Sequence, residues 1–352
     1  YRDDLDILVA GCGTSQAAKY AVRYPNARVV GIDVSETSLE HTRQLASRHG
    51  IDNLELQQLP IELAHRLDSR FDQIVCTGVL HHLEEPEVGL RALRECLAPA
   101  GALRLMLYAP YGRTGVYMIQ EYCRLLGIRP EATEIRELIE SLRELPLGHP
   151  LGHLLRDTPD FRDDDALADA LLNPRDRAYS VPAVFSLLDG AGLSFGRWVR
   201  QAPYVPQTGA LATLPHGPRI AALPITEQYR ALELFRGTMT RHSLIAYRDD
   251  GPEGTLVFDD GRVDAPRVDD YVPIRVATAI AVEEGLPAAA RAALLNRGHT
   301  YHDLVMLVDQ AEFDAFAAID GKRSIGELAH ADSRFYESLW WRDLIVVDAT
   351  SA

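Results

Sequence analysis

The first 110 residues alternate short apolar runs with stretches in which apolar residues recur at helical spacing. The runs LDILVA (5–10), ARVVGIDVS (27–35) and FDQIVCTGVL (71–80) are apolar enough for strands that are buried on both faces. Two further strands are expected at 53–59 and 102–109, with helical stretches between the strands. This alternation predicts an α/β fold with a doubly wound parallel sheet, in which ligands bind at the carboxyl ends of the strands.

The alternation ends after residue 110. Residues 111–180 are polar with helical spacing, which predicts a helical cap insertion. Residues 201–224 form a long Pro-rich connection, typical of a lid or binding loop, or of a surface wrap. A Gly/Pro/Asp cluster at 249–254 is typical of a linker. We therefore predict a domain over 1–250 and a small α+β accessory domain over 255–352, similar in pattern to winged-helix modules.

The helices expected in the C-terminal domain lie around 286–296, 301–318 and 324–341, followed by a last strand. Modules of this pattern include some that bind leader peptides. The formal charge of −15 argues against DNA as their ligand.

Composition narrows the classes of partner. A formal charge of −15 disfavours nucleic acid, and no apolar run approaches the length of a membrane span. No signal-peptide pattern is seen, and the chain begins almost inside its first strand, which suggests a segment of a longer protein. Four cysteines without a C-x-x-C pair predict reduced thiols in a cytoplasmic protein.

A glycine turn lies between the first strand and the first helix. Gly11-Cys12-Gly13 lets a ligand approach the backbone, and the helix start offers free N–H groups. The full dinucleotide fingerprint is G-x-G-x-x-G, and its last position here is Gln16. A turn used only for tight strand–helix packing is the alternative.

Asp33 stands at the end of the second strand. An acid there can accept hydrogen bonds from both ribose hydroxyls of an adenosine. A helix N-cap role is the alternative, although Ser35 and Thr37 can fill it. Together the glycine turn and Asp33 predict a nucleoside ligand, without separating a nicotinamide cofactor from S-adenosylmethionine.

Residues 71–108 separate these two cofactors. The segments FDQIVCTGVLHHLEEP and LRECLAPAGALRLMLY resemble the fourth and fifth strand regions of class I S-adenosylmethionine-dependent methyltransferases. The resemblance covers residues 5–110 and, more loosely, 181–250. It implies a Rossmann-like fold, S-adenosylmethionine as cofactor and methyl transfer as the activity.

The resemblance also implies a set of cofactor residues. The glycine turn would line the methionine moiety, Asp33 would hold the ribose, and Val34 would lie beside the adenine. The end of strand four would close over the sulfonium. The expected cofactor residues are Gly11, Cys12, Gly13, Asp33, Val34, Ile61, Glu62, Thr77, Gly78 and Val79. Two positions depart from the family: Val9 replaces an acid, and Pro60 lies where many members have an Asp.

Four residues are candidates for catalysis. His81 and His82 follow strand four, and Tyr108 and Tyr111 follow strand five. A histidine of near-neutral pKa could take a proton from the acceptor; alternatively, one histidine faces solvent and the other packs. Because adjacent residues on a helix do not share a face, no metal site is expected at the two histidines.

Four further residues are expected to bind the acceptor. Arg113 and Tyr117 follow strand five, where an arginine could pair with an anionic group. Arg177 and Tyr179 lie in a segment that the fold returns to the strand ends. Packing of the cap, and an internal Asp176–Arg177 pair that fixes the loop, are the alternatives.

The sequence therefore predicts methyl transfer to an O, N or S nucleophile of a small molecule or peptide side chain, by in-line displacement. The alternatives are a non-catalytic methyltransferase-fold scaffold and a nicotinamide-dependent oxidoreductase. Neither nucleic acid nor a membrane is an expected partner.

Overall fold

The structure is a computed structural model that describes residues 3–157, 164–251, 258, 267–328 and 332–349. The chain forms two compact units. The first comprises Tyr1–Phe195 with Glu233–Pro252, and the second comprises Gly196–Leu232 with Glu253–Ala352. Within the described ranges, no helix combines the length and apolarity needed to cross a bilayer.

A seven-stranded sheet organises the first unit, except that the last three residues of its strand β6 are counted with the second unit. Its strands are β1 (Asp6–Ala10), β2 (Arg28–Asp33), β3 (Leu54–Gln58), β4 (Phe71–Thr77), β5 (Leu97–Tyr108), β6 (Leu193–Trp198) and β7 (Arg241–Arg248). Their order is β3-β2-β1-β4-β5-β7-β6. The first five pair in parallel, and β7 pairs antiparallel with β5. The predicted α/β class and doubly wound parallel sheet are confirmed.

Twelve α-helices lie within the described ranges. They are α1 (Gln16–Arg23), α2 (Glu36–His49), α3 (Pro86–Cys96), α4 (Thr114–Leu126), α5 (Ala132–Leu142), α6 (Leu151–Asp157), α7 (Asp164–Leu172), α8 (Val181–Gly190), α9 (Gly217–Ala221), α10 (Ile225–Arg236), α11 (Gln310–Ala317) and α12 (Ser333–Trp341). Helices α4–α7 confirm the helical cap, and they bury a separate apolar cluster that includes Val116, Leu138 and Leu151.

The strand ends that matter for function follow from local sequence. In β1, the run Ile7–Ala10 is fully buried, as expected for a central parallel strand. Helix α2 begins where the Ser35 hydroxyl accepts a hydrogen bond from the Ser38 N–H, 3.2 Å away. It ends at Gly50, whose φ of 63° is the left-handed conformation of a glycine cap. Parallel pairing of Ala10 with Ile32 places the ends of β1 and β2 side by side.

The second unit contains two small antiparallel sheets. One pairs β8 (Val272–Arg275) with β12 (Ile345–Asp348). The other has the order β11-β10-β9, with β9 at Ala279–Val282, β10 at Ala292–Asn296 and β11 at Val305–Val308. The α+β character is confirmed, but the helix expected over 286–296 is wrong. Its alanines favour helix, and pairing of β10 with both neighbours outweighs that preference.

Residues 196–232 join the second unit rather than a continuous domain over 1–250. Asp343, which is 4% exposed, accounts for this. Its carboxylate accepts the backbone N–H groups of Gln201 and Ala202, both at 3.0 Å, and pairs with Arg197 at 3.2 Å. His299 Nε2 lies 3.0 Å from the same carboxylate. The unit boundary at Pro252 coincides with the expected linker, most of which lies outside the described residues.

Candidate cofactor and acceptor site

The glycine turn is held against β2 by main-chain bonds. The N–H groups of Gly11 and Cys12 both donate to the Ile32 carbonyl, at 2.8 and 3.0 Å. Gly11 has a φ of 67°, and a Cβ there would lie 2.5 Å from the Val79 side chain. Gly13 has a φ of 54°, and a Cβ there would meet nothing within 4 Å. The turn therefore needs glycine at Gly11 for close packing, while its Gly13 end faces open space.

Asp33 fixes this turn from the end of β2. Its Oδ2 accepts the Gly13 N–H at 2.8 Å, and its Oδ1 accepts the Ser35 N–H at 2.9 Å. The N-cap of α2 is the Ser35 hydroxyl, so the N-cap alternative for Asp33 is wrong. Each carboxylate oxygen keeps a free lone pair, which can accept a hydroxyl proton.

The end of β4 contacts the same turn. Gln16 Nε2 donates to Thr77 Oγ1 at 2.6 Å, which connects the first residue of α1 to β4. Gly78 has a φ of 81°, so the chain turns sharply after the strand. Sequence reasoning noted Gln16 only as a missing glycine. The feature of the sequence that could have identified Gln16 is a long amide side chain at the position where the turn enters the helix.

The cysteine of the turn belongs to the core. Cys12 is buried among apolar residues that include Val9. Burial, with the nearby Asp33 charge, raises the pKa of the Cys12 thiol to about 12. The thiol is therefore protonated and inert, and only the backbone of Cys12 is placed for a ligand.

The expected adenine side lies where β2 and β3 end. Leu59 N–H donates to the Asp33 carbonyl at 3.0 Å, which brings residues 59–62 beside Val34. Val34 is 65% exposed, as an open apolar platform would be. Ile61 is buried in the core, and Glu62 is half-buried. Of the two, Glu62 keeps a polar group at the surface.

A cluster of aromatic and charged side chains lies beyond β4 and β5. The His81 and Tyr108 ring centroids are 3.9 Å apart, and the Arg113 guanidinium carbon lies 3.6 Å from the Tyr108 centroid. Arg113 pairs with Asp176 at 3.1 Å, and both side chains are almost fully buried. The structure therefore pairs Asp176 with Arg113, and the expected internal Asp176–Arg177 pair is wrong.

The two histidines differ in environment. His81 is 1% exposed, and burial, followed by the charges of His82 and Arg113, lowers its pKa to about 3. His81 is therefore neutral at physiological pH and a weak base, unlike the near-neutral histidine that the sequence suggested. His82 Nδ1 lies 2.6 Å from the Arg175 carbonyl oxygen, which only accepts. The contact requires a proton on Nδ1, so Asn173 Nδ2, 3.3 Å from Nδ1, donates no hydrogen bond there, and Nε2 is the acceptor nitrogen of the neutral ring.

The other expected acceptor residues are spread more widely. The Tyr117 hydroxyl accepts from Arg113 Nε at 3.3 Å, and burial and Asp176 raise the Tyr117 pKa to about 12. The Tyr179 N–H donates to the Tyr108 carbonyl at 2.8 Å. Tyr111 and the Arg177 side chain are exposed, outside the buried cluster. The cluster thus contains Tyr108, Arg113 and Tyr117, whereas the side chains of Tyr111 and Arg177 lie outside it.

Sequence reasoning missed Gln120 in this cluster and gave Asp176 a different partner, Arg177. Gln120 Nε2 donates to Asp176 Oδ2 at 2.9 Å. One ligand-type atom from each of His81, His82 and Asp176 lies within 4.8 Å of the other two. The histidines occupy the 3-10 turn Leu80–His82, and their ring centroids lie 4.3 Å apart, so these two adjacent side chains do approach each other.

Comparison with known proteins supports the fold and the first domain. A family model described as "Methyltransferase domain" matches residues 8–103. An uncharacterized Synechococcus protein, syc1184_c, is 31% identical over 257 residues, which cover 70% of this chain and 61% of that protein. Ubiquinone biosynthesis O-methyltransferase of Acinetobacter baumannii is 30% identical over 96 residues, covering 27% of this chain and 40% of that protein. The chain thus spans less than two thirds of the length of either relative.

Among solved structures, PKMT2 from Rickettsia typhi has a TM-score of 0.66 at 16% identity, covering 99% of this chain and 72% of that chain. PKMT2 in complex with AdoHcy gives a TM-score of 0.62, also at 16% identity, with the same coverage. At this identity the likeness concerns the fold. The chain therefore contains a methyltransferase domain and has the Rossmann-like fold of the class I S-adenosylmethionine-dependent methyltransferases.

Proposed function

We propose that the chain transfers a methyl group from S-adenosylmethionine to an O, N or S nucleophile of a small molecule or peptide side chain. The observation that carries this proposal is the Asp33 carboxylate, which is bonded to the Gly13 N–H at 2.8 Å and retains lone pairs at the open end of the turn. A carboxylate so placed suits the two ribose hydroxyls of an adenosine.

The residues present fit this cofactor. The open space at Gly13 would accept the methionine moiety, Asp33 would hold the ribose, and exposed Val34 would lie against the adenine. Thr77, placed by Gln16, and Gly78 would line the sulfonium side. When bound, S-adenosylmethionine supplies an electrophilic methyl group that the acceptor atom takes by in-line displacement of the sulfide.

The acceptor would meet the cluster around Tyr108. Its aromatic rings exclude water and hold the acceptor, and proximity and alignment supply most of the rate enhancement. Arg113 is already paired with Asp176, so its charge orders the cluster more than it attracts an anion. With a pKa of about 3, His81 is a poor proton acceptor at neutral pH, whereas His82 Nε2 has a free lone pair. We assign proton acceptance, where the acceptor needs it, to His82.

Calorimetric titration with S-adenosylmethionine and S-adenosylhomocysteine tests the proposal. We expect micromolar binding by the intact chain and at least a tenfold loss in Asp33→Ala. The matched control is Asp52→Ala, which removes an exposed carboxylate two residues before β3 and should bind normally.

The absence of binding by the folded chain would overturn the proposal and favour the scaffold alternative. The observation behind that alternative is Val9, a fully buried residue at a position where the family has an acid. Val9 leaves that part of the turn with no carboxylate of its own.

A further inference from the structure

We propose that His81, His82 and Asp176 form a binding site for one divalent transition-metal ion such as Zn²⁺. A ligand-type atom from each residue lies within 4.8 Å of the other two, a span that one ion can bridge after small side-chain adjustments. Two imidazole nitrogens and one carboxylate oxygen are the donors of many catalytic metal sites, which keep a further position open.

Unpartnered polar atoms support the proposal. His81 is 1% exposed, and neither of its ring nitrogens has a hydrogen-bond partner among the described residues. The Asp176 side chain is 2% exposed, and its Oδ1 has none either. Buried polar groups are rarely left unpaired, because each loses its hydration without compensation. A single cation would satisfy a lone pair on each residue at once.

The surrounding contacts hold the donors as they are held in metal sites. His82 donates its Nδ1 proton to the Arg175 carbonyl at 2.6 Å, which leaves Nε2 as its ligating nitrogen. Asp176 Oδ2 accepts from Gln120 at 2.9 Å and from Arg113 at 3.1 Å, leaving Oδ1 as the free oxygen. A ligating histidine usually donates its other N–H in this way, and a ligating carboxylate is itself hydrogen-bonded.

The loop and the turn that carry the donors are joined. The Arg177 N–H donates to the His81 carbonyl at 3.2 Å. The donors therefore share one local scaffold, although about 95 positions of sequence separate the histidines from Asp176. Binding an ion at this point requires adjustment of side chains rather than assembly of two distant segments.

One charge opposes binding. Arg113 is close enough to lower the His81 pKa, and its charge also raises the energy of a nearby cation. That charge is partly neutralised by Asp176 and lies over the Tyr108 ring at 3.6 Å. The balance predicts micromolar affinity, weaker than that of a structural zinc site.

The consequence for catalysis rests on the proposed function. An ion at this point would lower the pKa of an acceptor hydroxyl or thiol that binds at its open position. The His82 Nε2 lone pair cannot both bind an ion and accept a proton. Metal binding would therefore replace His82 as the means of activating the acceptor.

The test is a metal titration of the full chain after treatment with a chelator. Zn²⁺ is measured by competition with a chromophoric chelator, and Co²⁺ by its visible absorption, which reports nitrogen and oxygen ligands. We expect one ion per chain, with at least tenfold weaker binding in His82→Ala and in Asp176→Asn. The control His65→Ala removes an exposed histidine of the same unit and should change nothing.

Failure to bind one equivalent, or binding that neither His82→Ala nor Asp176→Asn weakens, would overturn the proposal. If Asp176→Asn melts early, half-buried His82→Ala carries the test alone. Titration of the same samples with S-adenosylmethionine keeps the two proposals separate, since Asp33 and the glycine turn do not provide metal donors. Cofactor binding without metal binding would leave the proposed function standing and remove this inference.

Discussion

The two sides of the site are built from different parts of the chain. The proposed cofactor side consists mainly of glycines and backbone N–H groups, and Asp33 reaches Gly13 across 20 positions of sequence. The proposed acceptor side consists mainly of buried side chains, and Arg113 reaches Asp176 across 63 positions. The glycine turn depends on the backbone conformations of a few residues. The buried side-chain cluster depends instead on charges that compensate one another. The two sides should therefore respond differently to substitution.

The largest effect is expected on the acceptor side. Asp176→Ala leaves the buried Arg113 guanidinium without its carboxylate, and breaking a buried pair from one side costs about 4 kcal/mol. The free energy of unfolding, measured by urea denaturation with chelator present, gives this value. Arg43→Ala is the control, since it removes only exposed ion pairs and should change the free energy of unfolding little. Equal losses in the two variants would mean that the Arg113 charge is still compensated after Asp176 has been removed.

The next effect is expected at the glycine turn. Gly11→Ala combines a strained φ of 67° with a Cβ 2.5 Å from Val79, for a cost of about 3 kcal/mol. Gly50→Ala is matched, since its φ is 63° but its Cβ would meet nothing within 4 Å, so about 1 kcal/mol is expected. Urea denaturation separates the clash from the strain. If both variants lose the same stability, close packing against Val79 does not explain the glycine.

A smaller effect concerns pH. The His81 pKa is lowered to about 3 in the folded chain, so the unfolded chain binds the extra proton first as pH falls. The stability that the neutral His81 contributes to the folded chain is fully present above pH ~6.5, where the unfolded imidazole is also neutral. It decreases as pH falls from there toward 3. Acidification from pH 7.5 to 5.5 should lower the free energy of unfolding by about 1.4 kcal/mol through this residue.

Comparing the metal-free chain with His81→Phe measures this slope by denaturation at each pH. The variant should lose less stability on acidification, and His65→Phe, at an exposed site, should behave as the parent does. Parallel pH profiles for the parent and His81→Phe would show that His81 titrates normally.

The smallest effect is expected where the turn meets β4. Gln16→Ala and Thr77→Val each remove one side of a 2.6 Å hydrogen bond, worth about 1 kcal/mol. Calorimetry should show roughly fivefold weaker cofactor binding in each. The double variant should lose little more cofactor affinity than either single variant, because both substitutions remove the same hydrogen bond. Fully additive losses would show that Gln16 and Thr77 act separately.

The same contrast explains what the sequence could predict. Gly11, Gly13 and Asp33 were identifiable because turn, strand and helix signals are local and their spacing is short. The Asp176 partner was not, because the choice between Arg113 and Arg177 depends on how the cap folds back. The low His81 pKa depends on burial, which no motif encodes. The strand β10 was missed because alanine favours helix until neighbouring strands pair with it.

Asp343 has a consequence for the order in which the chain can fold during synthesis. Gln201 and Asp343 are 142 positions apart, and the segment 196–232 finds its carboxylate only after residue 343 has been made. By contrast, the partner strand of β5 is complete at Arg248. Because domains fold as they leave the ribosome, the first unit can close while residues 196–232 still wait. A ribosome stalled shortly before residue 343 should therefore hold a nascent chain in which that segment is cut by protease and the first unit is not.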